Sequence, residues 1–183
     1  MSFGVWFEYD KPEIMDSETW LRMTSLVCKA SKTLAPHFGF KNRGMGVWWK
    51  KNGFPKVAVG KENYDYHTGT IHLPVNIPET DYGVGHETGH WFNDCLNPDT
   101  FRLGYTFPHR SEERDDFYVW VECVARFAGM LYMGGSYTPR NPPFKLAELA
   151  TMHLGDIKAE ISKIRNFYCE MNRQEIWVEV LKN

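Results

Sequence analysis

His86-Glu87-Thr88-Gly89-His90 is the segment of this chain whose residue types and spacing do chemistry. Two histidines at i and i+4 sit one helical turn apart on one face. Their imidazoles can converge on a single Zn²⁺, at about 2.0–2.1 Å from each nitrogen. Glu87 follows the first histidine and is placed to take a proton from water beside the metal. A catalytic zinc generally has three protein ligands and an open position, so a third ligand is required.

The candidates for that ligand are Asp94, Glu112, Glu113 and Glu122. Asp94 lies one turn beyond His90, reaches the metal only awkwardly, and is expected instead to support His90 from behind. Glu112 and Glu113 belong to an acidic first helical turn, where they complement the helix dipole. Glu122 lies mid-helix among Val119, Trp120, Val121, Cys123, Val124 and Ala125. A carboxylate in such a stretch needs a partner or it neutralises. Arg126, one turn on, would serve as an ion-pair partner. A metal shared with the histidines is the reading preferred here. Ala125 and Gly129 on the same helical face would let that helix approach the histidine helix closely.

The H-E-x-x-H with a downstream helical Glu resembles the gluzincin pattern of zinc peptidases. The extension typical of metzincins is not present, since Asn93 and Leu96 stand where Gly and His or Asp would be needed. Glu122-Cys123-Val124-Ala125-Arg126-Phe127-Ala128, followed by Leu131-Tyr132-Met133, is similar to a run found in the ImmA/IrrE-type metallopeptidases. So is the strand Gly69-Thr70-Ile71-His72-Leu73 ahead of the motif. Arg126 replaces the Asn usual in that family, and Tyr82-Gly83-Val84-Gly85 replaces its usual approach to the motif. The resemblance covers roughly residues 65–135. It implies a zincin-like fold, His86, His90 and Glu122 as zinc ligands, and Glu87 as general base. It also implies a mobile-element or regulatory setting with a repressor-like protein as substrate.

The elements that must position these residues can be read from periodicity. Residues 16–35 predict a helix capped by Asp16 or Ser17, ended by Pro36 and Gly39. Met45–Lys50, Val57–Val59 and Thr70–Leu73 predict a small sheet, with Asn52-Gly53 as a hairpin turn. Thr80 or Asp81 to Cys95 predicts the motif helix, closed by Asn97-Pro98, and Ser111 to Met133 a second helix stopped by Gly134-Gly135. Residues 143–171 read as further helix with a break at Gly155, and Glu175–Leu181 fits strand or helix equally.

Composition narrows the partners. The 183 residues carry 21 Lys+Arg against 23 Asp+Glu, a net charge of −2, so no basic excess exists to grip phosphate backbones. Lys50, Lys51 and Lys56 read as a solvated strand face. Residues 1–15 lack the pattern of a secretory leader, and the uncharged stretch Phe127–Pro139 is too short to span a bilayer. Cys28, Cys95, Cys123 and Cys169 form no C-x-x-C pair and read as buried free thiols of a reducing compartment. Trp48, Trp49 and Trp91 read as core.

The sequence therefore points to one α+β domain over residues 1–183, zincin-like, with a small twisted sheet packed on the H-E-x-x-H helix and a neighbouring glutamate helix. The expected function is a cytoplasmic, Zn²⁺-dependent metallopeptidase acting on a protein or peptide, without nucleic-acid or membrane partners. The peptide is expected to pair along a sheet edge near residues 69–73. Tyr105, His109, Tyr132 and His153 are alternative donors to the developing oxyanion. The competing reading is an inactive zincin-fold binding module, which would have no need of Glu87.

Overall fold

A computed structural model describes residues 15–40 and 53–182. The expected strand at Met45–Lys50, Asn52 of the expected hairpin, Lys50, Lys51, Trp48 and Trp49 lie outside the described residues. The chain is α+β and mainly helical. Helix α1 spans Ser17–Leu34, and the side chain of Asp16 caps it by accepting from the Thr19 amide. Its buried stripe is Met23, Leu26, Val27, Ala30 and Leu34, the period that the sequence shows.

Three short strands follow: β1 (Lys56–Val59), β2 (Asn63–Asp65) and β3 (Thr70–Leu73). Their order is β1-β3-β2, with β1 parallel and β2 antiparallel to β3. This corrects the expectation that residues 69–73 form a sheet edge. β3 is the central strand, its inward Ile71 and Leu73 fully buried, and among the described residues the outer strands are β1 and β2. The reversal from β2 to β3 passes through Gly69, whose φ of 68° suits a residue without a Cβ.

The motif helix α2 spans Tyr82–Leu96, and Asp81 caps it through the Gly83 amide at 2.7 Å. Asn97-Pro98 does end α2. Pro98 then opens a further short helix, α3 (Pro98–Gly104), in what reads from sequence as a plain connection. Proline suits that first position because its missing N–H has no partner there anyway. Helix α4 spans Glu112–Met133, capped by Ser111 and ended by Gly134 at φ 66°. The chain closes with α5 (Leu146–Ala150) and α6 (Leu154–Lys182). The break falls at residues 151–153 rather than at Gly155, and the ambiguous segment 175–181 is helix.

One continuous cluster of buried side chains joins these elements. Trp91 and Phe92 of α2 belong to it, and Phe38 stacks on Phe92 with ring centroids 4.5 Å apart. Side chains of the two site helices also fix α5. Trp120 Nε1 of α4 donates to the Leu149 carbonyl at 2.8 Å, and Asn93 Nδ2 of α2 to that of Ala150 at 2.9 Å. Asn97 Nδ2 donates to the Met152 carbonyl at 2.7 Å. These bonds tie α2 and α4 to a common support. No described helix is long and apolar enough to cross a membrane. All four cysteines are free, but only Cys123 is fully buried; Cys169 is exposed on α6, so the expected burial of all the thiols does not hold.

Candidate metal centre

Helices α2 and α4 form the most extensive element pair of the described residues, and small residues make that possible. A Cβ added to Gly89 would stand 2.6 Å from the Ala128 Cβ and 3.1 Å from the Ala125 Cα. One added to Gly85 would stand 2.5 Å from the Tyr132 Cβ, and one added to Gly129 would stand 2.6 Å from the Tyr82 ring. The close approach expected from Ala125 and Gly129 is present, and Gly85 and Gly89 provide its other half.

That approach brings Glu122 to the two histidines. His90 Nε2 lies 3.1 Å from His86 Nε2. Glu122 Oε2 lies 3.6 Å from His86 Nε2, and Glu122 Oε1 lies 3.5 Å from His90 Nε2. Ligands about 2.0–2.1 Å from a tetrahedral ion stand roughly 3.3–3.4 Å from one another. The three separations bracket that value, so the group fits a divalent cation. Among the described residues it is the group able to hold one. Glu112 and Glu113 are exposed in the first turn of α4 and take no part.

The electrostatics follow from burial and proximity. Burial and the neighbouring His90 push the His86 imidazole down to about 3, so it stays neutral at pH 7 and its nitrogen is available as a ligand. Burial alone would raise the Glu122 carboxyl. The hydrogen bond and charge of His90, with the charge of His86, outweigh it and hold the group down at about 2. Tyr82 Oη lies 3.2 Å from His86 Nδ1. An ion on Nε2 leaves Nδ1 protonated, and that hydroxyl oxygen is there to accept the proton and fix the ring.

Glu87 stands apart from the ligand group. It is 7% exposed. Burial, together with the charges of Glu122 and Glu62, pushes its carboxyl up to about 7, against the opposing pull of His90 and the Tyr64 amide. A carboxyl poised there can both take and return a proton near neutral pH.

Asp94 does not support His90. It accepts from Tyr64 Oη at 2.7 Å and from Arg102 Nε at 3.4 Å. Arg126 adds its charge to the Glu122 environment, while its guanidinium lies 5.1 Å from the centre of the Tyr168 ring. Of the expected oxyanion donors, Tyr132 Oη is spent on the Glu79 carbonyl at 2.6 Å. The His153 amide binds Asp156 at the start of α6. Tyr105 stacks on Tyr66 with centroids 3.9 Å apart, and burial raises its phenol. His109 is exposed. The phenol that sequence reasoning passes over is Tyr118. It is 60% exposed on α4, one turn before Glu122, whose negative charge raises it. Its i to i+4 relation to Glu122 was the signal that could have found it.

No protein-family model, no curated protein and no solved structure matches this chain.

Proposed function

We propose that this chain is a zinc-dependent metallopeptidase with a zincin-like arrangement of its sheet and two site helices. His86, His90 and Glu122 hold the metal, and Glu87 is the general base. The observation that carries the reading is the placement of three nitrogen and oxygen donors at tetrahedral spacing, with the buried carboxyl of Glu87 on the same helix as the two histidines. Two imidazoles and one carboxylate suit zinc, which accepts such mixed donors and keeps a fourth position open.

When bound, zinc would supply Lewis acidity, easing loss of a proton from water and polarising the scissile carbonyl. The residues of the chain do the rest. Glu87 takes a proton from the attacking water, whose oxygen adds to the carbonyl carbon. The C–N bond then breaks, and Glu87 returns the proton to the leaving nitrogen, giving a carboxylic acid and an amine. The exposed phenol of Tyr118 stands as donor to the negative oxygen that develops on the carbonyl. The ImmA/IrrE-like run along α4 supports a protein substrate of the repressor type. The four free cysteines are in keeping with a cytoplasmic setting.

The test is hydrolysis of a panel of unfolded proteins and repressor-like peptides by wild type and by Glu87→Gln, both loaded with zinc. Glu87→Gln is expected to retain zinc and lose about 10²–10⁴ of the rate. Equal behaviour of the two proteins across the panel would favour the binding module instead.

A further inference from the structure

Gly129 lies inside helix α4, two turns beyond Glu122 on the same face, a span of about 10 Å. The helix passes through it with no positive φ, so no turn asks for a glycine there, and glycine weakens a helix interior. What the position needs is room. A Cβ at residue 129 would stand 2.8, 2.6 and 3.0 Å from Cδ2, Cε2 and Cζ of Tyr82, one edge of that ring up to the carbon bearing the hydroxyl. Tyr82 opens α2 one turn before His86. The two ring centroids are 5.5 Å apart, and the Tyr82 hydroxyl lies 3.2 Å from His86 Nδ1. The other ring nitrogen, Nε2, is the one 3.6 Å from Glu122 Oε2. Helix α4 thus bears on both nitrogens of His86, through Glu122 at Nε2 and through Gly129 and Tyr82 at Nδ1.

We propose that Gly129 seats Tyr82 as a positioning residue for His86: the missing Cβ leaves the tyrosine ring room to keep its hydroxyl on Nδ1, and that contact turns Nε2 toward Glu122. The inference rests on the reading of His86 as a metal ligand only for its effect on zinc; the seat itself is a property of the fold. With an ion on Nε2, Nδ1 carries the proton and the hydroxyl oxygen accepts it, which fixes both tautomer and ring direction. A Cβ at residue 129 would meet the outer end of a side chain rather than backbone, so the ring is what moves. A tyrosine has only two side-chain torsions, and a ring pushed off Gly129 takes its hydroxyl away from His86 with it.

The experiment uses protein of full length labelled with ¹⁵N-histidine, and zinc alone as the ligand, its Kd read by competition with a chromophoric chelator. Tyr82→Phe keeps the ring and loses the oxygen; it is expected to raise the zinc Kd about 10- to 100-fold, the usual effect of removing a partner of a ligating histidine. Gly129→Ala keeps the hydroxyl but displaces it, and is expected to raise the Kd at least about tenfold. The double variant is expected to lose far less than the product of the two separate losses, because both act through one hydrogen bond. Gly155→Ala, where nothing lies within 4 Å of a Cβ, is expected to bind zinc as wild type does. In zinc-free protein the His86 Nδ1 resonance is expected to move in Tyr82→Phe, to move the same way in Gly129→Ala, and to stay in place in Gly155→Ala. An Nδ1 resonance unmoved in either of the first two variants overturns the proposal, as does a double variant whose loss equals the product. Should Gly129→Ala fail to fold, Tyr82→Ala in the same chain is expected to restore folding by removing the ring; a double variant that stays unfolded also overturns the seat. A wild type that takes up no zinc counts against the metal centre, and the Nδ1 resonances then decide the seat alone.

Discussion

Gly89 of α2 lies against Ala128 of α4 so closely that a Cβ on the glycine would stand 2.6 Å from the alanine Cβ. The glycine inside the histidine motif is thus what lets the Glu122 helix come near enough for its carboxylate to reach both rings. Gly89→Ala gains up to about 1 kcal/mol of helix propensity. It also forces a clash with the Ala128 Cβ, which is fixed to its own backbone, and crowds the Ala125 Cα at 3.1 Å; overpacking of that kind costs about 1–3 kcal/mol. A net destabilisation is expected, read as a lower urea midpoint. Gly155→Ala is the control. Nothing lies within 4 Å of a Cβ there, so that change is expected to stabilise by about 0.4–1 kcal/mol. A Gly89→Ala protein as stable as wild type would contradict the packing described.

A ligand that binds only the folded state stabilises it. At free zinc about 100 times its dissociation constant the gain is about 2.7 kcal/mol. For a chain of this size that corresponds to roughly 5–11 °C in Tm. Adding a chelator should therefore lower the Tm of wild type by that amount and leave the Tm of Glu122→Gln where it was. A calorimetric scan with no response to chelator in wild type would count against a metal held by the native fold.

Asp94 separates the proposed ligand set from its nearest rival. Its oxygens belong to Tyr64 and Arg102, so Asp94→Asn should retain zinc at the wild-type stoichiometry. Asp94→Ala strands a buried phenol and is expected to cost about 1–3 kcal/mol in chemical denaturation, again with zinc kept. Release of metal by Asp94→Asn would assign the third ligand to Asp94.

Tyr118 and Tyr132 part company in the structure, and kinetics should follow. Tyr118→Phe removes an exposed hydroxyl one turn from Glu122 and is expected to lower kcat about 10²-fold while zinc content stays the same. Tyr132→Phe removes a hydroxyl already bonded to the Glu79 carbonyl and is expected to leave kcat unchanged. The reverse ranking would assign the oxyanion donor to Tyr132.

Much of the site was legible because it is local. The i, i+4 histidines, the Asp81 and Ser111 caps, and a carboxylate isolated in an apolar run of α4 are all patterns within one helix. What escaped is set by pairing across the chain. Asn63-Tyr64-Asp65 has little of the β-branched character of a strand and becomes one only by pairing with β3. With β2 unseen, β3 read as an edge. Helical spacing pairs Asp94 with His90, whereas its partners come from β2 and α3. The short helix at Pro98 was hidden because proline reads equally as the end of one helix and the first residue of the next.

The central claim is that His86, His90 and Glu122 together hold one zinc ion. The direct measurement is elemental analysis of wild type, His86→Ala, His90→Ala and Glu122→Gln, each purified without added metal. About one zinc per chain is expected in wild type, with its loss in both histidine variants and strong depletion in Glu122→Gln. A wild type without metal, or zinc that survives the two histidine substitutions, would contradict it.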